Sequence, residues 1–518
     1  MKKFLAFLLA LAMMFSLAAC GGSGSDSSSG TGSTGSTTQS GGDSAGGAGD
    51  SAGGDAYEVE VLLPIMQTAP SNEAIQQVED AVNDYILNTL GISEFKMDLK
   101  MQTIFDYANA ISMDLASGAK HDIILTLGLN TFVSNGYLVD LTDMVDNELA
   151  GAVGVLPDKW LRCGTVDGKV YAVPCYKGQV LSWKYIYDAD LYGDVVDWST
   201  IHTIDDLDAV MPDLKAAAPD ERPYVFMMDT VQLDYFQDHV SPVGTYLATV
   251  GESTELVNLF ATDAFKEGIE RAYRWSQAGY TDPEGSTNTL THDVIISTGA
   301  SKGVMMGHAY SIETIDQMFT MNNTTGATFK SVEIGVSDMT NNELVYGIAY
   351  TSGNPSAAAK MMSLIWTDEF IMSAIIYGLE GVSYEWNEDH SSIVYPEGLT
   401  MDTVPYSALF SCGVFGNQFN LYGMDGNTSE SDKGFMEDLI NKAWVPPLFG
   451  FIPDATPVAT QVAAVSNVYD QYYNVLVYGD VDPDEFLPQF LSALEAAGIN
   501  DIITEYQAQA DAWLKTVD

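Results

Sequence analysis

Residues able to perform catalysis or bind metal are scattered along this sequence. The six histidines show none of the zinc-binding spacings, such as H-E-x-x-H. No P-loop, and no G-x-G-x-x-G or G-x-S-x-G turn, lies between a predicted strand and a predicted helix. Carboxylates are so frequent that a pair at glycosidase spacing carries no information. We therefore expect no metal site, no cofactor and no catalytic centre.

Cys20 is the residue whose position predicts a specific modification. The basic start Met1-Lys2-Lys3 is followed by an apolar run over residues 4–17, then by Ala18 and Ala19. This order is typical of a secretory signal peptide, and the run is shorter than the about 20 apolar residues of a membrane-spanning helix. A cysteine at the cleavage point resembles the bacterial lipobox, in which the thiol receives a diacylglycerol. We expect residues 1–19 to be removed and Cys20 to be lipidated, the alternative being an ordinary signal peptide.

Composition excludes one class of function. The chain has 518 residues, enough for two or three domains, and a formal net charge of −50 from 71 acidic and 21 basic residues. Nucleic acids require Lys and Arg as counter-charges, so we expect no nucleic-acid partner. The acidic residues are spread along the chain, which favours a well-solvated surface. We expect a monomer.

Three cysteines remain besides Cys20. Cys163 and Cys175 flank a predicted turn at 166–169, so the pair could form a local disulfide or remain as thiols. Cys412 would then be a free thiol. Such sparse use of cysteine indicates that disulfides do not define the fold.

The pattern of strands and helices predicts an α/β protein after a polar tether. Residues 20–55 are nearly all Gly, Ser, Thr, Ala and Asp, and such a composition predicts a flexible segment. Apolar patterning then predicts strands at 57–64, 96–104 and 121–127, with helices beginning near Glu73 and at 106–117. Ser71 or Asn72 can cap the first helix. This alternation predicts a largely parallel sheet, with ligands beyond the carboxyl ends of its strands.

Several segments, taken in order, resemble one protein family. An Asp-Gly turn and a strand ending in proline (166–174) precede a short polar crossing (175–179) and an aromatic strand (180–187). They are similar to the first inter-lobe crossing of extracellular solute-binding proteins of the maltose-binding type, and the Asp-Leu-Thr-Asp motif at 140–143 resembles another pattern of the same family. These proteins are the receptors of ATP-driven importers.

The second half of the chain carries the same resemblance. Residues 301–310 are similar to the strand and turn that this family places in its second lobe, and 346–370 to the return to the first lobe. Residues 377–385, 416–419 and the tail from about 446 resemble large lipoprotein members, which carry an uncharacterised C-terminal region. Caps at Asp482 and Gly498 delimit helices in that tail.

The resemblance implies a two-lobed periplasmic-binding-protein-like fold of type II. Each lobe is expected to be a mostly parallel sheet flanked by helices, with extra helices at the C-terminus. The implied domains follow the signal peptide 1–19 and the tether 20–55. Lobe 1 is expected over 56–177 and 333–377. Lobe 2 is expected over 178–332 and 378–518.

The resemblance also implies a set of ligand-binding residues in an inter-lobe cleft. Sugars offer apolar C–H faces and hydroxyl groups, so aromatic rings and polar side chains suit them. Each aromatic residue could equally be part of the core. The implied residues, matched by position, are Gln67, Thr68, Thr126, Asn130, Tyr176, Trp183, His308, Tyr310, Glu380, Tyr384, Trp386 and Asn417.

These expectations combine into one functional hypothesis. The chain is expected to be a lipid-anchored receptor of an ABC importer on the outer face of a cytoplasmic membrane, in a Gram-positive cell. It would capture a carbohydrate, an oligosaccharide in the first instance, and deliver it to the transmembrane subunits of a permease. The alternatives are a receptor for a peptide or another polar solute, a glycan-degrading surface enzyme, and a structural or adhesive lipoprotein.

Overall fold

The structure is a computed structural model that describes residues 56–224, 229–282, 285–287, 292–401, 403–424 and 430–517. The predicted signal peptide, Cys20 and the tether 20–55 lie outside these residues. Within the described ranges, no helix combines the length and the apolar character needed to cross a membrane.

The described strands are β1 Tyr57–Ile65, β2 Phe95–Thr103, β3 Ile123–Thr126, β4 Thr165–Val166, β5 Lys169–Val170, β6 Ala172–Pro174, β7 Ser182–Asp188, β8 Val240–Val243, β9 Leu247–Val250, β10 Val257–Asn258, β11 Gly303–His308, β12 Phe329–Val336, β13 Val345–Ile348, β14 Glu385–Trp386 and β15 Ile393–Val394. They form a five-stranded sheet in the order β2-β1-β3-β13-β6, a three-stranded sheet β11-β7-β12, a three-stranded sheet β10-β9-β8 and two hairpins.

The described α-helices are α1 Asn72–Asn88, α2 Ile104–Ser117, α3 Leu129–Ser134, α4 Ala150–Gly154, α5 Ala189–Tyr192, α6 Ile204–Ala217, α7 Asp229–Gln237, α8 Asp263–Gln277, α9 His292–Ser297, α10 Ile312–Asn322, α11 Pro355–Thr367, α12 Glu369–Tyr377, α13 Glu430–Lys442, α14 Ala459–Val477, α15 Pro483–Ala497 and α16 Ile499–Val517. Short 3-10 helices lie at Thr142–Met144, Trp160–Gly164, Trp198–Thr200, Leu259–Ala261, Gly285–Thr287, Leu409–Ser411, Gln418–Asn420 and Thr456–Val458.

The five-stranded sheet has the parallel arrangement predicted for the first strands. β1 pairs in parallel with β2 along its whole length and with β3 at Val61↔Ile123. β13 runs antiparallel to both β3 and β6, so its first residue, Val345, lies beside Thr126 and Pro174. The carboxyl ends of β1, β2, β3 and β6 and the start of β13 therefore share one edge of the sheet. We call this the carboxyl edge of the first sheet.

Local signals in the sequence explain where the helices begin and end. Ser71 caps α1 by accepting a hydrogen bond from the Ala74 amide (3.2 Å), as one of the two predicted caps. α2 ends at Gly118, whose φ of 79° is accessible to glycine at little cost. In the C-terminal region, Asp482 caps α15 and Gly498, at φ 99°, ends it. These positions agree with the predicted boundaries.

The sheet β11-β7-β12 is antiparallel throughout, which corrects the expectation of a mostly parallel sheet in each lobe. β7 leads away from the connection with the first sheet, whereas β12 leads back to it, so the two strands must run in opposite directions. Ser182 consequently pairs with both His308 and Val336 at one end of this second sheet. We call this end the Ser182 edge.

The buried apolar residues that the structure describes form one large core and a second group of three cores. The first core joins β1–β3, β6, β13, α1, α2, α11 and α12 with side chains as far along the chain as Phe449, and we call the elements packed on it lobe 1. The other cores lie around the second sheet and between β8–β9, α8 and the last three helices, α14–α16. We call these elements lobe 2.

This packing differs from the expected lobe boundaries in two places. Side chains between Tyr384 and Ile440 belong to the first core, so the segment 378–518 is divided between the lobes instead of lying wholly in lobe 2. β12 pairs with β7 up to Val336, so residues 333–336 belong to the second sheet. The reason is that the chain crosses between the lobes a third time only after α13.

All three described cysteines are free thiols. Burial raises the pKa of Cys163 and of Cys175 to about 12, and that of Cys412 to about 11. Of the two possibilities that the sequence left open for Cys163 and Cys175, a disulfide or two thiols, the structure contains the two thiols.

Candidate functional site

Two extended segments run side by side between the lobes. Crossing 1 (175–181) connects β6 to β7, and crossing 2 (337–344) connects β12 to β13. Cys175 N donates to Leu344 O (2.9 Å) at one end. At the other end Leu181 N donates to Ser337 Oγ (2.9 Å), while Ser337 N donates to Leu181 O (2.8 Å). Both crossings thus join the carboxyl edge of the first sheet to the Ser182 edge.

Crossing 3 (443–458) lies against crossing 2. Asn341 uses both ends of its amide, donating from Nδ2 to Phe451 O (2.7 Å) and accepting at Oδ1 from Gly450 N (2.6 Å). Met339 N donates to Trp444 O (2.8 Å). The lobes are therefore connected by three hydrogen-bonded segments, an arrangement that allows hinge motion about a common axis.

Most of the polar side chains predicted on lobe 1 form hydrogen bonds with the backbone of the protein itself. Thr126 is buried and donates from Oγ1 to Val345 O (3.1 Å). Asn130 donates from Nδ2 to Ile452 O (2.6 Å), which fastens α3 to crossing 3. Thr68 is exposed beyond the end of β1. Of these three side chains, that of Thr68 is therefore the one exposed to solvent.

Gln67 attaches a loop over the carboxyl edge. Its Nε2 donates to Ser407 O (2.8 Å) and its Oε1 accepts from Phe410 N (3.1 Å). Met66 N donates to Ser411 Oγ (3.3 Å) in the same loop. Gln67 is thus a positioning residue that fixes the segment 407–418 above the sheet.

Tyr176 and Asn417 meet where that loop reaches crossing 1. The backbones of these two residues form an isolated bridge, and the Tyr176 ring lies 4.3 Å from the Phe419 ring and 5.5 Å from the Trp160 ring between centroids. Burial raises the pKa of the half-buried Tyr176 to about 12, so its hydroxyl remains protonated. Asn417 donates from Nδ2 to Trp366 O (2.9 Å) and is buried.

The Ser182 edge carries a cluster of polar side chains. Ser182 donates from Oγ to Glu333 Oε2 (2.5 Å). Lys184 is fully buried two residues along β7, and its Nζ donates to Ser182 O at 3.3 Å. At the end of β11, His308 Nδ1 accepts from Tyr310 N (3.2 Å), with the two rings 4.2 Å apart. His308 and Tyr310, both predicted, thus lie together at this edge.

Burial controls the charges in this cluster. It lowers the pKa of His308 to about 4, an effect that the nearby Lys184 cation increases and Asp432 opposes. It also lowers the pKa of Lys184 to about 8, although Glu333 and Asp432 favour the charged form. At neutral pH the edge therefore presents a neutral imidazole beside a buried ammonium group.

Trp183 points away from this cluster. It follows Ser182 along β7, and successive side chains of a strand alternate between faces. Its indole is 2% exposed, packs in the core of lobe 2 with its ring centroid 6.0 Å from that of Phe236, and covers Gly307. The structure places the side chain of Trp183 in a core and not among the polar residues of the edge.

Glu380, Tyr384 and Trp386 form a separate group on lobe 1. Tyr384 is buried, and Trp386 is half-buried with its ring 4.8 Å from that of Tyr422. Glu380 is exposed and bridges to Tyr384 through the backbone. Tyr422 N donates to Ser373 Oγ (2.9 Å), so the group packs along α12.

Family models match most of the body of the chain. The model of the bacterial extracellular solute-binding proteins matches residues 98–367, which is more than half of the chain. The chain belongs to this family. A second model, a domain of unknown function named DUF3502, matches residues 447–515, that is most of crossing 3 and of the three C-terminal helices. The predicted family and its C-terminal region are both confirmed.

Individual relatives extend the match to the whole body. A carbohydrate ABC transporter substrate-binding protein of Streptococcus pneumoniae serotype 4 (strain ATCC BAA-334 / TIGR4) is 24% identical over 457 residues, which cover 84% of this chain and 89% of the relative. Among solved structures, NgtS, an N-glycan transport solute-binding protein of S. pneumoniae, has a TM-score of 0.72 at 20% identity, covering 89% and 99% of the two chains. An HMO-binding solute-binding protein from Bifidobacterium longum infantis has a TM-score of 0.60 at 15% identity, covering 89% and 99%.

The predicted α/β solute-binding protein fold is therefore confirmed, and the family is one of extracellular binding proteins, not of enzymes. Within this solute-binding protein, the structure brings His308 and Tyr310 together at the Ser182 edge. It brings Gln67, Tyr176 and Asn417 together at the carboxyl edge. Trp183, Tyr384 and Thr126 are buried in lobe cores. A ligand role remains a prediction for all of them.

Sequence reasoning overlooked three side chains of this solute-binding protein. Lys184 shares the Ser182 face of β7, which strand alternation beside Trp183 could have indicated. Phe105, at the start of α2, is 50% exposed at the carboxyl edge, where its position after a predicted strand was a signal. Asp432 reaches the Ser182 edge from α13, and no sequence pattern predicts that contact. Among the described residues, no group of three or more His, Cys, Asp or Glu could hold a metal ion.

Proposed function

We propose that this protein is the substrate-binding component of an ABC importer and captures an oligosaccharide between its two lobes. The observation that carries the proposal is the set of three hydrogen-bonded crossings, which connect the carboxyl edge of the first sheet to the polar Ser182 edge of the second. Ligands of open α/β sheets bind beyond the carboxyl ends of strands. A solute held there would contact both lobes and favour their closure.

The names of related proteins support a carbohydrate as the solute. The relative from S. pneumoniae is a carbohydrate ABC transporter substrate-binding protein, and it matches 84% of this chain. Two structures with the same fold are an N-glycan transport protein and an HMO-binding protein. We infer that this chain takes a ligand of the same class.

We assign the binding roles by exposure and chemistry. Phe105 and Tyr176 offer aromatic surface for the C–H faces of a sugar, and Thr68 offers a hydroxyl group. On lobe 2, His308 and Tyr310 offer polar groups for sugar hydroxyls. Gln67 and Asn417 act indirectly, by positioning the loop 407–418.

We also propose how the protein is attached and organised. Residues 1–19 would be the signal peptide, Cys20 the lipid-bearing residue and 20–55 the tether, with a Gram-positive cell as host. The permease subunits of the importer would be its protein partners, and the receptor itself would be a monomer. We propose lobe 1 over 56–174 and 345–442, and lobe 2 over 182–336 and 459–517, separated by the three crossings.

A glycan panel tests the function. The full-length protein is mixed with oligosaccharides of differing composition, and its melting temperature is measured before the glycans are recovered and sized. Binding to the native state alone stabilises it by about 2.7 kcal/mol at 100 times the Kd. We expect a rise in melting temperature with intact glycan. Shortened glycan would indicate an enzyme, and stabilisation by peptides alone would replace the carbohydrate with a peptide.

Two variants on one helix test the site. Phe105→Ala is expected to weaken glycan binding about tenfold, because it removes an aromatic face at the carboxyl edge. Met113, 67% exposed farther along α2, provides the matched control, and Met113→Ala should bind as the wild type does. Equal affinities of the two variants, measured by calorimetry, would remove Phe105 from the proposed site.

A further inference from the structure

Helix α13 belongs to both lobes. Leu439 and Ile440, in its second half, are part of the first core. Lys433 is buried near its start and donates from Nζ to Leu421 O, which also anchors the helix to lobe 1. The first turn nevertheless reaches the Ser182 edge of lobe 2. Any change in the angle between the lobes must therefore act on the contacts of this turn.

Asp432 makes the polar part of that contact. Its Oδ1 accepts from Ser311 N (3.1 Å), and both carboxylate oxygens lie 2.9 Å from the Thr314 hydroxyl, which donates to them. Ser311 is the N-cap of α10, so the carboxylate lies at the positive end of that helix dipole. Asp432 is fully buried, and hydrogen bonds to a buried charged group are stronger than neutral ones.

Two further side chains of α13, Phe435 and Met436, complete the contact of this helix with lobe 2 and crossing 1. Lys184 Nζ lies 5.3 Å from the centre of the Phe435 ring, within the range of a cation–π interaction. Met436 packs against crossing 1 so closely that a Cβ on Gly178 would lie 2.6 Å from its Sδ and 2.8 Å from Ala309 Cβ. α13 is therefore in direct contact with crossing 1 and lies close to the end of β11.

We propose that Asp432 is an interlobe latch that holds lobe 1 to lobe 2 and thereby regulates access to the ligand site. The regulatory part rests on the proposed function, whereas the latch itself rests on the contacts above. Because these contacts join the two lobes directly, they contribute to the energy of this lobe arrangement, and their loss lets α13 and the Ser182 edge move apart. A ligand already bound would then dissociate faster.

Small-angle X-ray scattering of the unliganded full-length protein tests the latch. Asp432→Ala should increase the radius of gyration, because losing hydrogen bonds to a charged group shifts the balance between lobe arrangements about tenfold. Asp438→Ala is the matched control, since Asp438 is exposed on the same helix and pairs with Lys442. A radius of gyration for Asp432→Ala equal to that of the control would overturn the proposal.

A second variant shows whether the effect of Asp432→Ala comes from the lost contact or from misfolding. Thr314→Val removes the hydroxyl donor from lobe 2 without a large change in volume, and it should produce a smaller opening in the same direction. In the double variant the effects should not add, because both changes break one contact. Fully additive effects would contradict the latch. Far-UV circular dichroism confirms that each variant remains folded.

Ligand release separates the two parts of the proposal. With a glycan identified by the panel, Asp432→Ala should raise the dissociation rate about tenfold relative to Asp438→Ala. An opened variant with an unchanged dissociation rate would overturn regulation of the site by Asp432. If no glycan binds the wild type, the proposed function fails, and the scattering comparison still decides whether the latch exists.

Discussion

At the scale of single residues, the Ser182 edge is defined by a neutral histidine. His308 Nδ1 accepts a hydrogen bond from Tyr310 N, so this nitrogen carries no proton and the neutral ring has its proton on Nε2. Burial disfavours the charged ring, and the Lys184 cation adds to that effect. His308 can therefore act as a hydrogen-bond donor through Nε2 without bringing a second positive charge beside Lys184, and in the proposed site this donor would serve a sugar oxygen.

The half-buried imidazole of His308 predicts how stability depends on pH. The pKa of His308 falls from 6.5 to about 4 on folding, so the unfolded chain binds a proton between these values while the folded chain does not. This contribution to stability is full above pH 6.5 and is lost as the pH falls towards 4. We expect a loss of about 1–2 kcal/mol between about pH 6.5 and pH 5. Urea unfolding at both pH values measures it.

Comparison with non-titrating variants isolates this contribution. His308→Asn keeps an acceptor for Tyr310 N, and its free energy of unfolding should fall less than that of the wild type over the same pH interval. His202→Asn, at an exposed position, should follow the wild type. If His308→Asn has the same pH dependence as the wild type, then the assignment of a neutral imidazole to His308 in the folded protein is wrong.

Individual ligand-binding side chains are the least predictable part of the molecule. Trp183 was matched to the site by its place in the chain, but alternation along β7 directs it into the core and directs Lys184 to the edge. Gln67 and Asn417 do lie near the edge, although their amides are used in hydrogen bonds to the protein's own backbone. The sequence indicates which segments approach the site, whereas the orientation of each side chain depends on register and packing.

At the scale of elements, crossing 3 depends on a glycine that no other residue can replace without strain. Gly450 has φ of 95°, and an added Cβ would lie 2.4 Å from Arg162 Cβ and 3.1 Å from Arg162 C. Its amide also donates to Asn341 of crossing 2. Crossing 3 can therefore lie against both lobe 1 and crossing 2 only if residue 450 has no side chain.

This close approach predicts the effect of a single methyl group. Gly450→Ala should lower the free energy of unfolding by about 2–4 kcal/mol, because it combines backbone strain with a clash against Arg162 Cβ, an atom that cannot move without its main chain. Gly413→Ala serves as the control, since its nearest neighbour would be Gln418 Oε1 at 3.7 Å and its φ is not positive. Its effect should stay below about 1 kcal/mol. Equal losses in chemical denaturation would show that crossing 3 is not tightly held.

Elements with strong local signals were predictable, and elements held by distant contacts were not. The caps at Ser71, Asp482 and Gly498 follow from residue type and spacing. The position of α13 does not, because its two ends pack on different lobes. The same reason explains why the segment 378–442 could not be assigned to lobe 1 from its sequence, since partners such as Gln67 and Tyr176 lie hundreds of residues earlier.

At the scale of the whole molecule, charge is the dominant feature that the fold must accommodate. The formal net charge is −50, and only some of the few described cations pair with carboxylates, as Arg271 does with Asp234 in a buried pair (2.7 Å). Others, such as Lys184 and Lys215, donate to backbone carbonyl groups instead. Such pairs remove little of the excess. The remaining carboxylates repel one another across a compact body, which keeps the protein soluble but opposes folding.

This repulsion predicts a stabilising effect of salt. Raising the ionic strength from about 10 mM to about 150 mM shortens the Debye length from about 30 Å to about 8 Å and screens repulsion between surface carboxylates. Differential scanning calorimetry should therefore record a melting temperature that rises over this range and then levels off. NaCl, KCl and choline chloride should have equal effects, because screening depends on ionic strength. A flat or falling melting temperature, or a rise with only one cation, would rule out self-repulsion as the cause.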